Sequence, residues 1–313
     1  MPRGARSWTS ELSGSFHIIS RVAGGDRLLG DQEKEFFLLL LERLARGFFI
    51  DIHAFCILSN HFHILATERN QAAREASRKY LLKRYKDIYG HENLPPPGAF
   101  DRDGTVIPDR DDGMDRLRDR LGSVSRFTQE LKQSFGRWYN KRTDRKGFFW
   151  ADRFKGIIVS LGEAQLACSA YIDLNPVRAG IVKMPEDYRW SSIGLKSRDP
   201  KRAGRLLTAI SYEPVSGPQG SSWYRLFVYS SGGIAKQGHA SISEEKTREV
   251  QSLVGQLGLK EKLKYRLRNL SEGHAFGNKD LIEQVQKMHK RKFVRPRKIS
   301  EESSLYATRV LKS

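Results

Sequence analysis

The chain reads as an α+β protein, with a small sheet, helices packed against one face, and a mostly helical extension behind them. Three observations predict this. Short apolar runs of strand length recur in the first two thirds, broken by Gly, Ser and Asn turns. Longer segments between them repeat their apolar residues at helical spacing. After residue 200 the composition turns to Ser, Gly and Pro, and then to Lys and Arg.

Residues 14–23 make a first strand, ended by Gly24-Gly25. Asp31 caps a helix over 32–47, with Phe36, Phe37, Leu40, Leu41 and Leu44 on its apolar side. Residues 49–58 and 61–67 are two further strands around a tight turn at Ser59-Asn60, and a helix covers 71–88. The run Pro95-Pro96-Pro97-Gly98 and the mixed charges of 101–120 read as a loop or insertion. A helix over 123–141 carries Phe127, Leu131, Phe135 and Trp138 at helical spacing. A strand lies within 147–160, and a helix from Gly162 to Leu174 is stopped by Pro176. Further on, Tyr224, Leu226, Val228 and Tyr229 suggest a strand. Residues 243–291 read as helical and basic, with a capping box at Ser241 and Glu244 and a core-type stripe at Val250, Leu253, Val254 and Leu257. This divides the chain into a principal domain over 10–198 and a basic, mostly helical module over 199–313. Truncation near residue 200 is expected to leave the first of these folded.

Charge bounds the partner. In 313 residues, 55 Lys and Arg face 36 Asp and Glu, a formal net charge of +19. A chain this basic is expected to meet a polyanion, most often nucleic acid. The charges cluster, as in Lys290-Arg291-Lys292, Arg295 with Arg297-Lys298, and Lys141-Arg142 with Arg145-Lys146. A membrane is the competing polyanion, but no apolar run reaches transmembrane length. The N-terminus lacks an apolar signal core, which predicts a cytoplasmic protein. Cys56 and Cys168 lie in apolar surroundings without metal spacing and read as buried free thiols.

The strand around residue 62 carries the first chemical signal. In Ser59-Asn60-His61-Phe62-His63-Ile64-Leu65, side chains alternate, so His61 and His63 share one face and Phe62 points to the other. Two imidazoles side by side are an incomplete metal site, although a strand histidine is more often an ordinary packed residue. The second signal is Tyr171-Ile172-Asp173-Leu174-Asn175-Pro176-Val177-Arg178-Ala179-Gly180. Residues four apart share a helix face, which stacks Tyr171 above Asn175 at the end of its helix. Spacing alone equally describes a packing tyrosine and a helix stop. Among rival tyrosines, Tyr139 stands in basic surroundings, but its fourth residue on, Thr143, offers only a hydroxyl.

The two motifs together resemble the single-tyrosine transposases with a His-hydrophobic-His motif, and within them the REP-associated tyrosine transposases. The likeness runs over about residues 10–195 and includes Phe16-His17-Ile18-Ile19-Ser20-Arg21 and the Trp150, Arg153, Phe154, Lys155 segment. It implies a ferredoxin-like antiparallel sheet and a metal-dependent transposase acting on single-stranded or hairpin DNA. By the same likeness His61, His63 and Asn175 are metal ligands and Tyr171 is the nucleophile. A nucleoid-associated protein in the cytoplasm fits this reading, and a homodimer is compatible with it. The chain departs from compact relatives in its Pro-rich insertion and in the extension after 200.

The implied chemistry suits the residue types. A phenolate attacking a phosphodiester leaves a 5′-phosphotyrosine link and a free 3′-hydroxyl, so the strand can be rejoined elsewhere. Mixed nitrogen and oxygen ligands suit Mg²⁺ or Mn²⁺, and no Cys joins the set to favour zinc. Single-stranded DNA needs a basic groove with stacking surfaces. Trp150, Arg153 and Lys155 are the first candidates for that contact, with Arg21 and Arg178 from the two family-like segments. The cluster at 289–298 is a candidate for phosphate contacts to duplex or hairpin DNA.

Overall fold

The computed structural model describes residues 14–90, 113–212, 220–232, 241–246, 248, 270, 273–288, 293–299 and 304–309. The frame is built from strand β1 (Ser15–Arg21), helix α1 (Asp31–Gly47), strands β2 (Ile50–Ile57) and β3 (His61–Glu68), and strand β4 (Lys155–Val159). These four strands lie in the order β2-β3-β1-β4 and all pair antiparallel. That is the order and sense of a ferredoxin-like sheet. The α+β class and the early strands therefore follow the sequence closely.

Four helices connect β3 to β4: α2 (Asn70–Glu75), α3 (Arg78–Tyr89), α4 (Met114–Gly122) and α5 (Val124–Thr143). The single helix expected over 71–88 is broken at Ala76-Ser77, where the Ser77 hydroxyl accepts from Tyr80 N–H and starts α3 afresh. Part of the segment read as a loop is helical: Met114, Leu117 and Leu121 bury one side of α4. Its many Arg and Asp residues hid that stripe. Asp31 opens α1, but as its first helical residue; Gly30 is the cap and no side chain closes it.

Helices cover both faces of the sheet, not one. Even-numbered residues of β1 and β3, including Phe16, Ile18, Phe62 and Ile64, pack with α1, α3, α4 and α5. Odd-numbered neighbours, including Ile19 and Leu65, pack under helix α6 (Glu163–Asp173) with Cys56, Ile157 and Val159. Both cysteines are buried free thiols, as expected. Pro176 does not simply stop α6. It opens a further turn, α7 (Asn175–Arg178), in which proline is tolerated because a first-turn N–H has no intrahelical partner.

The described residues beyond 190 include α8 (Ser192–Arg198), α9 (Pro200–Leu206) and α10 (Gly220–Gly232). The strand expected around Tyr224 to Tyr229 is α10. Trp223 and Phe227, four apart, stack there at 5.6 Å, so tertiary packing overrides the local preference of aromatic and β-branched residues for strands. Strand β5 (Ala275–Gly277), helix α11 (Lys279–Met288), and strands β6 (Arg297–Lys298) and β7 (Tyr306–Thr308) complete the described chain. Strand β5 pairs parallel with β4, and the sheet runs on as β4-β5-β7-β6. The boundary drawn near 198 on composition is thus no break in the sheet. The cap at the start of the 243–291 region is Ser243, which accepts from Lys246 N–H, rather than Ser241. The Pro95 run, the Val250–Leu257 stripe and Lys290-Arg291-Lys292 lie outside the described residues. Among those described, no helix is long and apolar enough to cross a membrane.

Candidate active site

The register of β1 on β3 sets Arg21 opposite His61, Ile19 opposite His63 and His17 opposite Leu65. All six lie on the α6 face, so His17 meets His63 on the diagonal, within reach of long side chains. His17 Nε2 is 2.9 Å from His63 Nδ1, and the two rings stack with centroids 5.1 Å apart. Both are buried. His61 stands beside them, its ring 5.0 Å from that of His63. His17 was not singled out in the sequence. The available signal was that residues 17, 19 and 21 alternate onto the face of His61 and His63, once β1 and β3 are taken as neighbours.

The protonation of His61 can be read from its neighbours. Asn60 Nδ2 donates to the Gly25 carbonyl at 3.2 Å, which turns Asn60 Oδ1 toward His61 Nδ1 at 2.6 Å. An amide oxygen only accepts, so His61 carries its proton on Nδ1 and its lone pair on Nε2.

Helix α6 supplies the other wall. The Tyr171 ring stands edge-on to His17 at 5.8 Å and to His63 at 5.9 Å between centroids. From α7, the Arg178 guanidinium lies 5.3 Å from the Tyr171 ring centre. Asn175 Nδ2 donates to the carbonyls of Tyr171 (2.8 Å) and Ile172 (3.4 Å). The second of these takes the place of the N–H that Pro176 lacks. The amide is thereby fixed at the helix end, with Oδ1 as its remaining polar atom. Next along the helix, the buried Asp173 carboxylate accepts from Ser192 Oγ (2.6 Å), Ile193 N–H (3.1 Å) and Tyr224 OH (2.6 Å). It ties α6 to α8 and α10.

Burial sets the electrostatics. It lowers His17 to about 3, against the pull of the Leu270 backbone and with Lys155 adding to the effect. It lowers His61 to about 4, helped by Arg21. His63 is pushed well below its ordinary value by burial first, then by His17, His61 and Arg21. The three imidazoles are therefore neutral at pH 7, with lone pairs to offer rather than charge. Burial also lowers Arg178, and Tyr171 opposes that shift.

As a metal site, the pair fits in part. His61 and His63 are neutral, adjacent and held by partners on their Nδ1 atoms, the arrangement usual for imidazole ligands. Among the described residues no set of three or more His, Cys, Asp or Glu is placed to hold a metal. A third donor has to come from an amide oxygen such as that of Asn175, or from a substrate phosphate.

Of the remaining predicted residues, Arg21 is exposed beside His61, and Lys155 is exposed opposite Ile19 on the same face. Arg153 is also exposed. Trp150 is not a stacking surface. It is 8% exposed, its indole N–H donates to the Lys132 carbonyl, and its ring packs with Phe37, Phe62, Phe135 and Phe149 on the opposite face. In this segment the exposed aromatic is Phe148, at 90%. The segment that follows it runs along the Arg21 end of β1, with Ala23 N–H bonded to Phe149 O and Ala151 N–H bonded to Arg21 O. The rival Tyr139 is buried against Phe135 and Phe149, away from the histidines.

No family model matches the chain. No curated protein matches it either. A solved structure of a REP-associated tyrosine transposase bound to a REP hairpin is similar to this chain, with 16% identity over 64% of this chain and 87% of that one. Its TM-score of 0.39 is too low for the likeness to bear on function.

Proposed function

We propose that this chain is a single-tyrosine DNA strand transferase, with Tyr171 as its nucleophile and His61, His63 and Asn175 as its metal-binding group. The observation that carries this reading is the contact of the Tyr171 ring with the buried His17–His63 pair, under the Arg178 guanidinium. Two motifs more than 100 residues apart in sequence meet there, one on a strand and one on a helix.

Each side chain then has a task. Arg178 favours the Tyr171 phenolate by placing a cation against its ring. The phenolate oxygen forms a bond to the scissile phosphorus, and the 3′-oxygen leaves and takes up a proton. The energy of the broken ester is kept in the tyrosine ester, so a second 3′-hydroxyl can reverse the step elsewhere. Mg²⁺ or Mn²⁺, held by His61, His63 and Asn175, would polarise the phosphate and stabilise charge on its oxygens. Arg21, Lys155 and Arg153 give the approaching strand its phosphate contacts, and Phe148 offers a face on which a base can stack.

The test is a denaturing gel of the full chain with single-stranded hairpin DNA and Mn²⁺. A covalent protein–DNA band is expected for the wild type. Tyr171→Phe should lose it while still binding DNA, because one oxygen is removed and the ring's packing stays. His61→Ala and His63→Ala should lose cleavage but keep the fold. Free fragments without an adduct would instead mean hydrolysis, and binding without cleavage would mean a DNA-binding regulator.

A further inference from the structure

His17 is a polar side chain placed where an apolar one would pack. Its strand neighbours Leu65 and Ile157 are fully buried aliphatics, and the ring itself is fully buried. An imidazole in such a place costs free energy unless its nitrogens are used. One is used: Nε2 meets His63 Nδ1 at 2.9 Å.

A hydrogen bond between two neutral imidazoles needs one donor and one acceptor, so only two arrangements exist. In the first, His17 donates from Nε2. His63 then holds its proton on Nε2, the nitrogen on the far side of the ring from His17, and has no lone pair there. His17 Nδ1 is left as a buried acceptor. In the second, His63 donates from Nδ1, His17 carries its own proton on Nδ1, and His63 Nε2 has the lone pair. The two arrangements differ at the His63 nitrogen that faces away from His17, and only the second leaves a lone pair there. A metal ligand needs that lone pair, so the reading of His63 as a ligand requires the second arrangement. It also gives His63 the same state as His61, where Asn60 Oδ1 takes the Nδ1 proton.

We propose that His17 is a positioning residue: its Nε2 accepts from His63 Nδ1–H, fixing His63 in the tautomer whose Nε2 lone pair serves the site, edge-on to Tyr171. The proposal rests on the reading that His63 acts as a ligand through Nε2. It adds a residue from β1 to a site whose motifs lie on β3 and α6.

The experiment is nitrogen NMR of the full chain with ring-labelled histidine and no metal, the His63 signals being identified by their loss in His63→Gln. In the wild type, His63 should carry its proton on Nδ1. His17→Leu fills the space but offers no acceptor, and His63 should then shift to the other tautomer or a mixture. His17→Gln returns an oxygen near the place of Nε2 and should restore the wild-type state. Calorimetry with Mn²⁺ alone should follow the same order, with affinity about 10–100-fold weaker in His17→Leu and within a few-fold of wild type in His17→Gln. A wild-type His63 protonated on Nε2 overturns the proposal without recourse to any variant. So does a His17→Leu protein that keeps both tautomer and affinity. If the wild type binds no Mn²⁺, the metal reading falls, and the tautomer measurement still decides the role of His17.

Discussion

At the scale of single residues, exposure separates the proposed DNA contacts from packing more sharply than residue type does. Trp150 and Phe148 lie two apart in one aromatic, basic segment, and nothing in the sequence distinguishes them. Trp150 turns inward because its indole N–H finds the Lys132 carbonyl and its ring fills the gap among Phe37, Phe62 and Phe135. Phe148 stays out, one residue after Gly147, whose φ of +96° suits only glycine. Phe148→Ala should therefore weaken binding to single-stranded DNA by about 1–3 kcal/mol, the range for one stacked base, with no change in thermal midpoint. A fluorescence titration that gives wild-type affinity would remove Phe148 from the proposed interface. The histidines were legible in part for a similar reason. Period-2 alternation places His61 and His63 together from sequence alone, whereas His17 joins them only through the register of another strand.

At the scale of elements, α6 is the part whose placement decides the site, since it carries Tyr171 and hands on to Asn175 and Arg178. Its sequence signalled a helix and an end, and both are present. What anchors it was hidden, because Asp173 finds its three donors on α8 and α10, 19 and more residues away. Burial raises the Asp173 carboxyl while the hydroxyls of Ser192 and Tyr224 lower it, so the group is held by bonds rather than by solvent. Asp173→Ala leaves those donors unsatisfied and should destabilise the protein by about 3 kcal/mol in denaturant unfolding. Tyr224→Phe removes one donor and should cost about 1 kcal/mol. Equal effects from the two changes would mean that the carboxylate is not the shared hub. Helix α4 teaches the converse lesson. Its stripe of Met114, Leu117 and Leu121 is regular, but it lies in a run of charges that reads as a loop until a facing helix supplies the core.

At the scale of the whole molecule, buried neutral histidines link stability to pH. His53, outside the site, donates from Nδ1 to the Thr208 carbonyl at 3.0 Å and pairs through Nε2 with Thr67 Oγ1 at 2.8 Å; burial lowers its affinity for a proton. Below about pH 6.5 the unfolded chain binds a proton there that the folded chain resists. Its contribution is thus complete above that pH and is lost as pH falls. The slope is at most about 1.4 kcal/mol per pH unit, and His53→Gln should flatten it in unfolding experiments between pH 7 and 5. Sheet continuity gives the larger prediction. Composition placed a boundary near residue 198, because Ser, Gly and Pro runs and a basic tail resemble a linker and an arm. A three-residue strand such as Ala275-Phe276-Gly277 is too short to show alternation, so its pairing with β4 was invisible. Yet Ile158 N–H bonds to the His274 carbonyl and Ser160 N–H to that of Phe276. Phe276, Leu281, Ile282 and Val285 are buried, each of a type worth about 1.5–3 kcal/mol when removed from water. Ending the chain after residue 206 would expose the edge of β4, strip that apolar cover and remove Tyr224 from Asp173. The shortened protein should lose cooperative unfolding or aggregate, and amide exchange in β4 should quicken before that in β3, which stays paired on both sides. A truncated chain that unfolds cooperatively at the wild-type midpoint would support the composition-based boundary and make the extension an arm.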